Sequence, residues 1–353
     1  MRRALVTHYA LPVTPIGGNM FKKSTPVYRV VLKKAWEITK QNRFLWFFGI
    51  FAALAGNGGV YEILVKGFDR VVSRGENLAN EPGLFWQWLA AFGPRMESTF
   101  EQSPLFGNLF WIVSLVILVL LCIAIWLTVV SRGALISSIK KIVGKKKTNL
   151  REGWEDGNKI FWPLLGLNAL AKALIFGLLV MITLPAIFFV TGETGSVGWN
   201  LALYLFAFVI FTALALFVSF MAIYASCFVA VKGLPMVESI RAGWRLFAKN
   251  WLVSIEMSLL LFVITLGVGA AFAILSFLYL IPVFLLLLAF AYLKLSFGFW
   301  LVIFLAALGW LVALCFTGGA LSAYQFSAWT ILFMEINKRK VWSKLLRFVG
   351  IRK

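Results

Sequence analysis

Long apolar runs alternate with short basic stretches along the chain. Apolar runs cover residues 109–130, 161–190 and 201–231, and a longer apolar block covers residues 251–336. An earlier run, residues 44–61, includes several glycines, and as a helix it would measure about 27 Å, close to the hydrocarbon thickness of a bilayer. This pattern predicts an all-α integral membrane bundle of transmembrane helices.

A five-residue motif precedes three of these runs. It consists of Leu or Ile, a basic residue, any residue, a small residue and tryptophan, and it occurs at residues 32–36 (LKKAW), 150–154 (LREGW) and 240–244 (IRAGW). Recurrence at this scale predicts an internal repeat with units of about 25–147, 148–232 and 233–337. The candidate interfacial residues are Lys33, Trp36, Arg151, Trp154, Arg241 and Trp244.

The residues around each motif have the pattern of an amphipathic helix. In the first copy, Tyr28, Val31 and Ala35 share a face with Trp36, while charged residues occupy the other face. Such a helix is typical of a segment that lies in the membrane interface, with tryptophan at headgroup depth. The second copy is weaker because residues 155–157 (EDG) interrupt it. A plain membrane anchor without a binding role would show the same pattern.

The number of crossings depends on the last apolar block. Two long helices joined by an outer turn near residues 282–296 give six crossings. Further divisions at residues 280–282, Lys294 and residues 318–319 give eight. The first two repeat units each provide one motif and two crossings, so we predict six, in three units of parallel orientation, and keep eight as the alternative. Asn42, Asn158 and Asn250 precede the crossings.

Composition and charge support a membrane protein and give it an orientation. Hydrophobic residues make up 61% of the chain, charged residues 14%, and the net charge is +20. Most Lys and Arg residues lie in residues 1–43, 132–160, 232–249 and 338–353, whereas residues 62–108 are net acidic. The positive-inside rule therefore predicts a multi-pass protein of the plasma membrane with both termini cytoplasmic and residues 62–108 outside.

The same charge pattern predicts the remaining segments and the partners. Residues 1–24 are predicted to be disordered, residues 25–337 to form one membrane domain, and residues 338–353 to form a basic cytoplasmic tail. Orientation and anionic lipid headgroups explain the positive charge without nucleic acid. The predicted partners are therefore membrane lipids, with other membrane proteins as a second class.

Three polar residues inside the apolar runs are the candidate intramembrane site. Lys172 lies about 16 Å along its helix, where an unpaired lysine costs roughly 2.5 to 3.5 kcal/mol. Asn168 lies one turn earlier on the same face, and Glu256 is acidic and well inside an apolar run. A Lys172–Glu256 pair would be either a structural ion pair or part of a path for a substrate or proton.

Small residues recur at the inner ends of the even-numbered crossings, in residues 131–138, 222–226 and 318–324. In lipid, small residues permit close helix packing, which is the interpretation we favour. An inner vestibule lined by serine and tyrosine is the alternative.

The sequence has few of the residues that usually form catalytic or metal sites. His8 is the single histidine, and Cys122, Cys227 and Cys315 lie in apolar runs without a CxxC pair. No catalytic residue, metal site or cofactor is predicted.

The residues around the motifs resemble a known family. Trp36, residues 42–51 (NRFLWFFGIF), residues 153–154, residues 164–168 (LLGLN) and residues 243–251 (GWRLFAKNW) carry the resemblance. They are similar to uncharacterised bacterial multi-pass proteins related to the membrane domain of glycerophosphodiester phosphodiesterases. The resemblance covers roughly residues 25–340 and implies six helices and a membrane-domain role. It does not imply phosphodiesterase activity, which belongs to a separate soluble barrel.

Two functions follow as predictions. The first is a non-enzymatic accessory protein that organises the membrane or associates with lipid. The alternative is a transporter or permease-like protein that uses Asn168, Lys172 and Glu256. Three parallel units are unusual for alternating access between two halves, so the first function is favoured.

Overall fold

The protein is a bundle of α-helices. A computed structural model describes residues 27–54, 104–191 and 197–338. Its helices are α1 (Val27–Gln41), α2 (Phe44–Leu54), α3 (Pro104–Val143), α4 (Leu150–Lys159), α5 (Phe161–Thr191), α6 (Val197–Cys227), a π-helical turn (Phe228–Lys232), α7 (Met236–Tyr292) and α8 (Ser296–Lys338). Within these ranges, five helices are long and apolar enough to cross a membrane. The prediction of an all-α, multi-pass membrane bundle is confirmed at this level.

The first predicted crossing is described only in part. Helix α2 has 11 residues, about 16 Å of helix, and is too short to span the hydrocarbon alone. Residues 55–61 lie outside the described part of the chain, so six crossings remain a prediction.

The last apolar block forms two long helices. Helices α7 and α8 are joined at residues 293–295, where Lys294 has a φ of 52°, within the predicted outer turn. Pro282 lies inside α7. Gly318 and Gly319 lie inside α8, so the divisions at residues 280–282 and 318–319 that eight crossings require do not occur in these two helices.

One predicted boundary differs from the structure, and the two terminal segments lie almost wholly outside the described residues. Helix α3 begins at Pro104, so residues 104–108 are helical instead of belonging to the outer loop. The proline suits the first turn, where its missing N–H leaves no hydrogen bond unmade. The rest of that loop, residues 1–24 and residues 339–353 lie outside the described residues.

The packed core lies at one end of the bundle. Its largest fully buried side chains belong to α1, α2, α3, α6, α7 and α8 and include Val31, Phe48, Ile139, Tyr224, Met257 and Phe333, while Leu164 of α5 packs in a separate, smaller cluster. Beyond this core, large apolar side chains of α3, α7 and α8 are exposed, as suits helices surrounded by lipid tails. We call this packed end the motif end, because α1, α4 and residues 236–249 of α7, the three motif helices, all lie there.

Each motif helix is interrupted at the residue six positions after its tryptophan. The breaks fall at Asn42, Ile160 and Asn250. The side-chain amides of Asn42 and Asn250 donate to the carbonyl oxygens four residues earlier, at 2.9 and 3.0 Å. Asn250 has φ −130° and ψ 29° inside α7, which marks a kink. In the second copy the break falls at Ile160, and Asn158, the asparagine that precedes this crossing in the sequence, is helical.

Helix α4 continues through the segment expected to interrupt it. A Cβ on Gly157 would overlap the carbonyl oxygen of Val130 and lie 2.9 Å from the nitrogen of Ala134. The Lys141 ammonium lies 2.6 Å from the Asp156 carboxylate. Gly157 therefore permits the close approach of α4 to α3, and the ion pair between Asp156 of α4 and Lys141 of α3 stabilises it. The prediction that residues 155–157 interrupt the second motif helix was wrong, because contacts with α3, which the local sequence pattern does not show, stabilise the helix there.

Candidate membrane-interface site

Each motif tryptophan packs edge-on against an aromatic ring of a long helix. The Trp36–Tyr324, Trp154–Trp126 and Trp244–Phe217 ring centroids lie 6.2, 5.3 and 4.7 Å apart, with interplanar angles of 77°, 74° and 72°. Edge-to-face packing is a favourable arrangement for aromatic pairs. The three copies therefore make equivalent aromatic contacts.

The small residue before each tryptophan is buried against a neighbouring helix. Ala35 is fully buried. A Cβ on Gly153 would lie 2.8 Å from Ser138 Oγ, and a Cβ on Gly243 would lie 3.0 Å from the nitrogen of Ala225. These contacts explain why the motif requires a small residue at this position.

The contacts of the motif helices follow a cyclic order. The second motif helix packs on α3, which lies in the predicted first repeat unit, and the third packs on α6, which lies in the predicted second unit. The first motif helix packs on α8, which lies in the predicted third unit, and Thr39 Oγ1 lies 3.5 Å from Ser327 Oγ there. Each motif helix thus contacts a helix of the predicted unit before it, and the first motif helix contacts a helix of the predicted last unit.

The small-residue stretches form the core. Ser131, Ser138, Tyr224 and Ser322 are fully buried, which confirms close packing as the favoured interpretation. The Tyr224 hydroxyl lies 2.7 Å from Ser254 Oγ, so these two polar groups satisfy each other inside the bundle. They do not line an open vestibule.

Asn168 has a partner that the sequence did not suggest. Nη1 of Arg132 donates to Oδ1 of Asn168 at 2.8 Å, and Nδ2 of Asn168 donates to the carbonyl oxygen of Leu164 at 2.8 Å. Arg132 is the first residue of the basic stretch 132–160, which the charge pattern predicts to be cytoplasmic. Its isolation was the missed signal, because it is the single charged residue between positions 109 and 139.

Lys172 and Glu256 do not form an ion pair. Lys172 is exposed on α5, and no carboxylate in the described ranges lies within ion-pairing distance of it. Glu256 instead lies beside Tyr28 of α1. Burial of the Tyr28 ring and the neighbouring Glu256 carboxylate both raise the pKa of the Tyr28 phenol. The three candidate polar residues therefore have separate surroundings.

The motif end also carries a surface groove of about 550 Å³. It lies between α6 and the third motif helix, and its lining residues are Met221, Ile240, Arg241, Trp244 and Arg245. The other motif basic residues, Lys33 and Arg151, are exposed on their own helices.

No family model, curated protein or solved structure matches the chain. Among the residues described, no group of three or more His, Cys, Asp and Glu could hold a metal ion. The geometry of the motif end is therefore the basis for a functional proposal.

Proposed function

We propose that the protein is a non-enzymatic accessory protein that organises the inner surface of the plasma membrane through anionic lipids. The equivalent packing of the three motif tryptophans, on helices whose other faces are charged, carries this proposal. Tryptophan and basic residues together favour the headgroup region, where anionic lipids attract Lys and Arg.

The proposal includes an architecture. It has six crossings in three parallel units, each preceded by an interfacial motif helix, with both termini cytoplasmic. The common position of the helix breaks and the cyclic contacts support it. In this proposal the chain shares the architecture of the membrane domain of glycerophosphodiester phosphodiesterases without their catalytic barrel.

A transporter requires its polar residues to lie along one path. Asn168 is bound by Arg132, Lys172 is exposed, and Glu256 lies beside Tyr28. These separate surroundings favour the accessory role over transport.

Lipid analysis of the protein extracted with its surrounding membrane tests this function. We expect anionic phospholipids to be enriched severalfold over the bulk membrane, because each basic residue near an anionic surface contributes about 1 kcal/mol. Neutralising Lys33, Arg151 and Arg241 together with glutamine should reduce the enrichment, whereas Lys172→Gln should not. Mass spectrometry of the extracted lipids measures both. A wild-type lipid composition equal to that of the bulk membrane would contradict the proposal.

A further inference from the structure

The third motif copy differs from the others at the position after tryptophan. The first two copies have Glu37 and Glu155 there, and each glutamate pairs with the motif basic residue four positions earlier. The Lys33–Glu37 distance is 4.0 Å and the Arg151–Glu155 distance is 3.2 Å. The third copy has Arg245 instead. The positive charge of the basic motif residue is therefore balanced by a neighbouring glutamate in the first two copies. In the third copy a second positive charge, that of Arg245, lies beside Arg241.

Arg241 and Arg245 have no acidic partner in the described part of the chain. Both are exposed, and the polar contact between them joins Nε of Arg245 to the carbonyl oxygen of Arg241 at 3.4 Å. Glu238, three residues before Arg241, forms no ion pair with it. Like charges four residues apart destabilise a helix, so this pair is suited to a bound anion.

The two arginines line the groove at the motif end together with apolar side chains. Met221 comes from α6, while Ile240 and Trp244 come from the motif helix itself. A volume of about 550 Å³ is in the range of small-molecule sites. Guanidinium groups match the geometry of phosphate oxygens, and the apolar residues match an acyl chain.

We propose that this groove binds one anionic phospholipid of the inner leaflet. Arg241 and Arg245 hold the lipid phosphate, and the start of an acyl chain lies along Met221, Ile240 and Trp244. This site rests on the proposed function, since it requires the motif end to lie at the inner membrane surface. It assigns to the third copy a specific lipid contact that the first two copies lack.

Native mass spectrometry of the delipidated full-length protein, titrated with phosphatidylglycerol in detergent, tests the site. We expect one tightly bound lipid in the wild type. Arg245→Glu recreates the charge pattern of the other copies and should weaken this binding roughly tenfold or more. Lys249→Glu makes the same charge change one turn further along the helix and should retain the lipid.

Two further measurements distinguish the groove from general charge attraction. Ile240→Trp fills the groove without changing charge and should also weaken binding, whereas excess inorganic phosphate should not displace the lipid. Equal weakening by Arg245→Glu and Lys249→Glu, or displacement by phosphate, would overturn the site.

The outcome for the site can be separated from that for the proposed function. If the extracted wild type is enriched in anionic lipid but Arg245→Glu binds phosphatidylglycerol as the wild type does, the groove assignment fails and the function stands. If the wild type shows no enrichment, the function itself fails.

Discussion

Replacing Gly49 with alanine is expected to lower the stability of the protein by about 3 kcal/mol, at the upper end of the cost of overpacking. A Cβ at this position would overlap the carbonyl oxygen of Gly319 and lie 3.2 Å from the nitrogen of Ala323. In the reverse direction, a Cβ on Gly319 would lie 2.8 Å from the carbonyl oxygen of Trp46. Because these neighbours are backbone atoms, they cannot move aside as a flexible side chain would.

Thermal stability in detergent, followed by size-exclusion chromatography of heated samples, measures this effect. Gly267→Ala on α7 is the matched control, because no atom lies within 4 Å of its added Cβ. Alanine is favoured over glycine in a helix by up to about 1 kcal/mol, so the control should be unchanged or slightly stabilised. Equal stability of the two variants would contradict the close approach of α2 to α8.

Replacing Asn168 with leucine is expected to cost about 1.5 to 3 kcal/mol, the usual contribution of a hydrogen bond to a charged group. The substitution removes the acceptor for Nη1 of Arg132, which lies 2.8 Å away. Leucine is apolar and similar in size to asparagine, so the loss reports mainly on this hydrogen bond. Lys172→Leu, on the same helix, removes an exposed charge and should not destabilise the protein.

A double-mutant cycle with Arg132→Met tests the Arg132–Asn168 contact directly. The double variant should be more stable than the sum of the single effects predicts, because the second substitution removes the partner left behind by the first. Stability measured by thermal unfolding in the same detergent gives the four values. Additive effects would show that the two side chains do not interact.

The helical membrane bundle was predictable because its signals are local. Apolar runs and basic stretches are continuous in sequence, and the motif tryptophans lie on short segments with helical spacing. The tryptophan positions predicted interfacial helices, and α1 and α4 contain their motifs. The division of the last apolar block into two helices also agrees with the predicted repeat.

The candidate site was less predictable because its contacts join distant segments. Arg132 and Asn168 are 36 residues apart, and a hydropathy pattern does not show which faces of two helices meet. The predicted Lys172–Glu256 pair rests on the depth of each residue along its helix, and depth does not show which faces meet. The close approach at Gly157 likewise depends on α3 and could not be inferred from the local helix propensity of α4.

The location of the three motif helices at one membrane surface is the central structural claim. Spin labels at Lys33, Arg151 and Arg241, the exposed basic position of each copy, can report depth by electron paramagnetic resonance. Each label is attached to a cysteine introduced at one of these positions, in a variant in which the native Cys122, Cys227 and Cys315 are replaced. A label at Lys172 serves as the deep reference.

The predicted result is that all three labels lie in the headgroup region of the same leaflet. Their depths should agree to within about 5 Å, the length of one helical turn, and all three should be clearly shallower than the Lys172 label. A label in the opposite leaflet, or one as deep as that at Lys172, would contradict a common interfacial layer of motif helices.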